Sequence, residues 1–190
     1  FIVAATRVAD TNGKRIVAIG AVEEETSSRG ARALLGHFRP DYAVIGEPSH
    51  WEHITIGYKG RILVRYQLSS RMRHSSAEGP SASERAVDFW NRLVSYVNEL
   101  NNGERGRFDT LDPFLRRITT TAGDFAEEAT MDITLRTPFG LDVTALKEQV
   151  RAFAGEAAVG FSGEDLPFRS EKNTPLVRAF LKAIRSQGGQ

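Results

Sequence analysis

Three consecutive glutamates, Glu23, Glu24 and Glu25, follow directly on the apolar run RIVAIGAV at 15–22, and another acid, Glu47, follows YAVI at 42–45 after a single glycine. Carboxylates gathered at one point repel unless a cation or a shared proton compensates them. A divalent metal is the economical compensator, and oxygen donors joined by histidine suit zinc, cobalt or manganese. A carboxylate beyond the ligands would then accept a proton from water held at such a metal. The triple glutamate also reads as a solvated turn whose acids favour the dipole of the helix that follows. Glu47 lacks that second explanation, and Pro48 predicts an extended backbone that aims its side chain.

The other reactive side chains are sparse. There is no cysteine, so neither a disulfide framework nor a thiolate metal site is possible. Of the histidines, His37 closes a helix, where the dipole favours imidazolium. His50 and His53 read as surface residues of a loop entering a strand, and His74 lies in a polar loop of Ser, Arg, His, Gly and Pro. Arg136 shares the polar face of ATMDITLR at 129–136 with Thr130, Asp132 and Thr134, and an intrastrand ion pair with Asp132 is the plain expectation there.

The elements that must hold these groups change character along the chain. RIVAIGAV and YAVI have the apolar, β-branched make-up of buried parallel strands. Thr26, Ser27 and Ser28 offer caps for a helix near 28–38 between them, so the first 57 residues predict a strand–helix–strand crossover. In such sheets ligands bind beyond the carboxyl ends of the strands, where the acids stand. After Gly57 the pattern becomes alternating. RILVRYQLS at 61–69 predicts a strand with one face covered, and Ser81 with Glu84 forms a capping box for a helix. That helix carries a stripe of Ala86, Val87, Trp90, Leu93, Val94, Val97 and Leu100. Strands near 115–121 and 129–136, a helix over about 142–154 and a strand at 157–161 complete a ferredoxin-like βαββαβ unit. Thr174, Pro175 and Gly188 bound a last helix.

Lysine plus arginine total 25 and aspartate plus glutamate 24, a net charge of +1 that argues against a nucleic-acid or anionic-membrane partner. No apolar run is long enough to span a bilayer. Both ends read as cut points in a longer protein, since FIVAAT resembles the middle of a helix and RSQGGQ stops just past a helix terminator.

Three stretches carry a family resemblance. AVEEETSSRGARALL is similar to the segment that holds the paired glutamates of acetylornithine deacetylases, succinyl-diaminopimelate desuccinylases and glutamate carboxypeptidases. AVIGEPS resembles the next metal-binding strand end of that family, and YKGRILVRYQLSSRMRHSSA its entry into a lid domain with a histidine. NTPLVRAFLKAIRSQGG adds likeness to the acetyl-lysine deacetylases, which release lysine or ornithine from an amino-group carrier protein. The resemblance implies an α/β fold: a partial parallel-sheet catalytic domain (1–57, rejoined at 166–190) with an inserted ferredoxin-like lid and dimerisation domain (58–165). It implies Glu24 as general base, Glu25 and Glu47 as ligands of two divalent ions, zinc or cobalt, and Glu23 in support. It also implies that His74 reaches the partner subunit's site to hold the oxyanion, and that Arg136 binds the substrate carboxylate. Arg73 stands where relatives commonly have glycine, and Gly123 and Asp124 stand near the place of a family asparagine.

The activity so implied is cleavage of an amide on the amino group of a lysine- or ornithine-like substrate in amino-acid biosynthesis. The enzyme would be a cytoplasmic homodimer acting on a small amino-acid derivative or a carrier protein. The family's histidine–aspartate pair, bridging aspartate and last histidine are not in these 190 residues, so the chain alone is expected to bind metal poorly and to be inactive. Competing readings are a non-catalytic dimerisation or interaction module, a small ligand-binding domain, and a peptidase or aminoacylase of the same family.

Overall fold

A computed structural model describes residues 3, 5, 7, 13–24, 28–47, 50–72, 79–103 and 106–189. Its internal contacts divide the chain into two compact units, Thr55–Lys172 and Phe1–Ile54 with Asn173–Gln190. The chain is mixed α/β.

The Thr55–Lys172 unit is built on β2 (Gly60–Arg71), α2 (Ala82–Leu100), β3 (Asp112–Ala122), β4 (Ala126–Thr137), α3 (Val143–Ala154) and β5 (Ala158–Asp165). Their sheet has the order β3-β4-β2-β5, and every neighbouring pair is antiparallel. Each helix therefore connects two strands separated by a third, which is the split βαβ connectivity. A two-stranded ribbon of β1 (Gly57–Tyr58) and β6 (Phe168–Arg169) closes the unit's entry and exit.

Alternation decides which side of the sheet is covered. Ile62, Val64, Tyr66 and Leu68 of β2 and Ala129, Met131, Ile133 and Leu135 of β4 are buried. They pack with Ala82, Ala86, Phe89, Leu93 and Val97 of α2 and Leu146, Val150 and Ala154 of α3 in one core. Two periods, two for strands and 3.6 for helices, thus meet on a common apolar layer. The stripe of α2 is turned relative to the sequence expectation. Phe89 is at its centre, 1% exposed and stacked on Tyr66 at 4.6 Å between ring centroids, whereas Val87 is 49% exposed. Spacing explains this, because 82, 86, 89, 93 and 97 keep one helical face while 87 falls off it.

Local contacts fix the ends. Ser81 Oγ accepts from the Glu84 backbone N–H at 3.2 Å, and the Glu84 carboxylate accepts from the Ser81 N–H at 2.8 Å. The Asn101 side chain accepts from Leu111 N–H and donates to its carbonyl oxygen, tying the end of α2 to the chain entering β3. Gly60 admits no side chain: a Cβ there would stand 2.6 Å from the Asp165 carbonyl oxygen and closer still to the Thr137 hydroxyl.

The capping box carries a pH signature. Hydrogen bonds from the Ser81 backbone, and then from its hydroxyl, hold the Glu84 pKa below its usual value. A depressed folded-state pKa stabilises above the ordinary carboxylate value and loses that contribution as pH falls through the lowered one. Glu84→Gln should therefore lower the thermal unfolding midpoint at neutral pH, leave it nearly unchanged at the acid end, and so flatten the acid limb of a plot of midpoint against pH. Parallel acid limbs in the two proteins would contradict this.

The second unit contains α1 (Arg29–Leu34) and α4 (Pro175–Ser186). Thr174 Oγ1 caps α4 by accepting from Val177 N–H at 3.1 Å, and Ile184 is buried on its apolar face. The helix expected near 28–38 is shorter, and Ser28 stands at its N-cap with φ 52° and no side-chain cap bond; Thr26 and Ser27 lie outside the described residues. The two runs expected as buried parallel strands are not strands here. Residues 14–22 and 42–47 have no strand pairing, and Ile16 (51%), Ile19 (47%) and Val44 (46%) remain exposed. An apolar run becomes a buried parallel strand only with strands along its edges and helices over both faces. Among the described residues of this unit none supplies them.

Candidate functional site

The acidic turn is set by the first residues of α1. Ser28 N–H donates to the Glu23 carbonyl oxygen at 2.7 Å, and Gly30 N–H donates to that of Val22 at 3.2 Å. Ser28 Oγ adds a longer bond to the Glu24 carbonyl oxygen at 3.4 Å. Glu23 adopts φ 58°, a left-handed conformation unusual for a side chain of its size, and its carboxylate lies 3.7 Å from the Arg29 guanidinium. The backbone is thereby folded on both sides of Glu24, which is exposed. Gly30 is the positioning residue that sequence reasoning missed. A Cβ at Gly30 would stand 2.7 Å from the Val22 carbonyl oxygen and nearer to its nitrogen, so the approach needs glycine. Its signal was available: glycine inside a helix costs about 1 kcal/mol relative to alanine and asks for a reason.

The other predicted residues distribute unevenly. Glu47 is exposed in a segment with neither helix nor strand; Glu25, Pro48 and His74 lie outside the described residues. His50 and His53 form one exposed turn, with His53 N–H donating to the His50 carbonyl oxygen at 2.9 Å and the rings 5.9 Å apart. Among the described residues no three His, Asp or Glu side chains come together closely enough to hold a metal ion.

Arg136 occupies β4 in the other unit, on the sheet face away from the helices. The expected ion pair with Asp132 is not the one formed. Asp132 is held across the sheet, by Arg65 from β2 at 3.1 Å and by Arg117 from β3 at 3.2 Å. Residues directly opposite on neighbouring strands lie about 5 Å apart, whereas Asp132 and Arg136, four apart on one strand, are separated by about 13 Å, so the cross-strand partners win. Arg136 itself records no ion pair among the described residues. Its direct neighbours are Arg61 on β2 and Asp112 on β3.

The profile of peptidase family M20/M25/M40 matches residues 1–190. The chain belongs to this family. Among its M20 relatives, a LysW-lysine hydrolase of Deinococcus radiodurans is 35% identical over 181 residues, covering 92% of this chain and 50% of that protein. A Pyrococcus horikoshii protein with the provisional name of a LysW-lysine/LysW-ornithine hydrolase is 35% identical over 173 residues, covering 91% of this chain and 47% of its own. The chain thus spans about half the length of the curated relatives it matches. A hydantoinase/carbamoylase family amidase from Burkholderia ambifaria shares the fold with a TM-score of 0.53 at 13% identity, over 72% of this chain and 35% of that one.

M20 membership implies divalent metal, and the donors among the described residues do not make a complete site for it. Zinc takes about four ligands in a closed site or three plus water in an open one. The described residues supply no group of three. The chemistry assigned below therefore rests on this chain's own side chains. No helix among the described residues is long and apolar enough to cross a membrane.

Proposed function

We infer that the full-length protein is a metal-dependent amidohydrolase that cleaves an amide on the amino group of a lysine- or ornithine-like substrate. The observation that carries this reading is the 35% identity to a LysW-lysine hydrolase over 92% of the chain, together with the family match along its whole length. Glu24 takes a proton from the attacking water and passes it to the departing amine. Glu25 and Glu47 are ligands of two divalent ions, zinc or cobalt, whose remaining ligands lie in sequence not included in these 190 residues. Glu23 supports the turn through Arg29. His74 donates to the oxyanion of the tetrahedral intermediate, and Arg136 holds the substrate carboxylate.

In this reading the unit of residues 1–54 and 173–190 is part of the catalytic domain. Its exposed apolar runs at 14–22 and 42–47 become strands of a larger parallel sheet. The Thr55–Lys172 unit is the lid through which two copies pair, and it brings each copy's His74 to the other's site. The substrate is an amino-acid derivative, either free or attached to a carrier protein such as LysW, and the enzyme works in the cytoplasm. The absence of a three-donor group among the described residues favours a second reading for the 190 residues alone, a non-catalytic interaction module.

Assaying both forms separates these readings. The full-length protein should release free lysine or ornithine from the carrier-linked or Nα-acetylated amino acid, lose that activity on chelation and regain it with zinc or cobalt. The 190-residue chain should do neither. A full-length protein that is inactive with every metal would overturn the enzymatic reading.

A further inference from the structure

Glu127 of β4 is a buried charge with little to compensate it. It is 9% exposed and lies on the helix side of the sheet, the face that also carries Ala129 and Met131. Its donor among the described residues is the Ser70 hydroxyl of β2, 3.0 Å from Oε1. Its register partners, Ser70 on β2 and Ala122 on β3, carry no charge. The charged groups at the start of α2 are committed elsewhere, Glu84 to Ser81 and Arg85 to Glu156. A carboxylate taken out of water stays ionised only with strong compensating donors, and one neutral hydroxyl is a weak one. The second carboxylate oxygen has capacity for a further donor.

Position selects the donor. The pairing of β2 with β4 runs past Glu127 to Met72, whose N–H donates to the Phe125 carbonyl oxygen at 2.9 Å. Even-numbered residues at this end of β2 share the face of Glu127: Leu68 is buried there and Ser70 reaches the carboxylate. From Met72 the chain has to arrive at Ser81, the cap of α2, and α2 packs on that same face. His74 stands two residues after Met72 and keeps its parity, whereas Arg73 has the parity of the exposed Arg71. We propose that Glu127 is a positioning residue for His74, accepting a hydrogen bond from its imidazole. This rests on the reading of His74 as the oxyanion donor, and it sets that donor's protonation state. With one ring N–H on the carboxylate and the other on the oxyanion, the ring carries both protons. A buried carboxylate beside it favours this charged form and fixes the direction of the remaining N–H.

The test uses the full-length protein loaded with zinc and labelled with 15N-histidine. By NMR, His74 of the wild type should hold both ring protons at neutral pH. In Glu127→Gln it should lose one of them about one pH unit lower than in the wild type, the effect of removing one nearby opposite charge. A wild-type His74 that is already neutral at neutral pH overturns the proposal before any variant is made. Turnover is the second readout. Glu127→Gln should lower kcat by about tenfold with KM nearly unchanged. Glu128→Gln, exposed on the other face of β4, should leave kcat as it is. In a His74→Ala background Glu127→Gln should cost nothing more, because its effect passes through the imidazole. Losses that multiply, or a His74 titration that does not move, overturn the positioning role and leave the His74 reading standing. Wild-type turnover in His74→Ala overturns both.

Discussion

Glutamine in place of Glu24 is expected to lower turnover of the full-length protein by about a hundredfold to ten-thousandfold, the range a positioned proton acceptor contributes. The substitution keeps the size and hydrogen-bonding reach of the side chain but removes its basicity. The turn should survive it, because the bonds that Ser28 and Gly30 donate are accepted by backbone carbonyl oxygens. Bound metal should also persist, since Glu25 and Glu47 are the proposed ligands. Glu23→Gln is the matched comparison. It removes an exposed ion pair with Arg29 at 3.7 Å, an interaction worth well under about 1 kcal/mol, and should change turnover only a few-fold. Equal losses in the two variants would mean that the turn tolerates no neutral side chain, and that Glu24 has no special chemistry. Turnover within a few-fold of wild type for Glu24→Gln would remove it from the mechanism.

What could be read in the sequence follows how local each signal is. The Thr55–Lys172 unit was legible because its strands and helices find their partners within it. The alternation of Ile62, Val64, Tyr66 and Leu68, the Ser81–Glu84 box and the β4 run at 129–136 each encode a face that the same unit covers. The runs at 15–22 and 42–45 encode only an appetite for burial. β-Branched apolar composition says that a segment would be stable between neighbours, not that neighbours exist, and these segments stay exposed here. The acids at their ends were legible as residue types after apolar runs. Gly30 was not, because its reason lies in a backbone approach to Val22 through space. The pairing of Asp132 failed for a related reason. Sequence spacing ranks Arg136 beside it, but register, which no spacing reveals, puts Arg65 and Arg117 nearer.

Phe89→Ala should destabilise the Thr55–Lys172 unit by about 3–5 kcal/mol, the usual cost of emptying a buried aromatic site. Phe89 is 1% exposed and stacks on Tyr66, so the substitution removes transfer energy, leaves a cavity and abolishes a ring pair worth roughly another 1 kcal/mol. Domains of this size are held by only about 5–15 kcal/mol, so the loss is a large part of the whole. Val87→Ala on the same helix is the control. Half-exposed, it should change stability by no more than about 0.5 kcal/mol. Both values come from denaturant midpoints followed through the Trp90 fluorescence beside this core. Similar effects for the two would mean that α2 presents the 86, 87, 90, 94 stripe after all. The consequence would extend beyond the helix, because Tyr66 belongs to β2. That strand pairs with β4 without interruption from Gly60 to Arg71 and carries Arg61 opposite Arg136. Packing under the sheet thus bears on the spacing of Arg61 and Arg136, register partners on its open face.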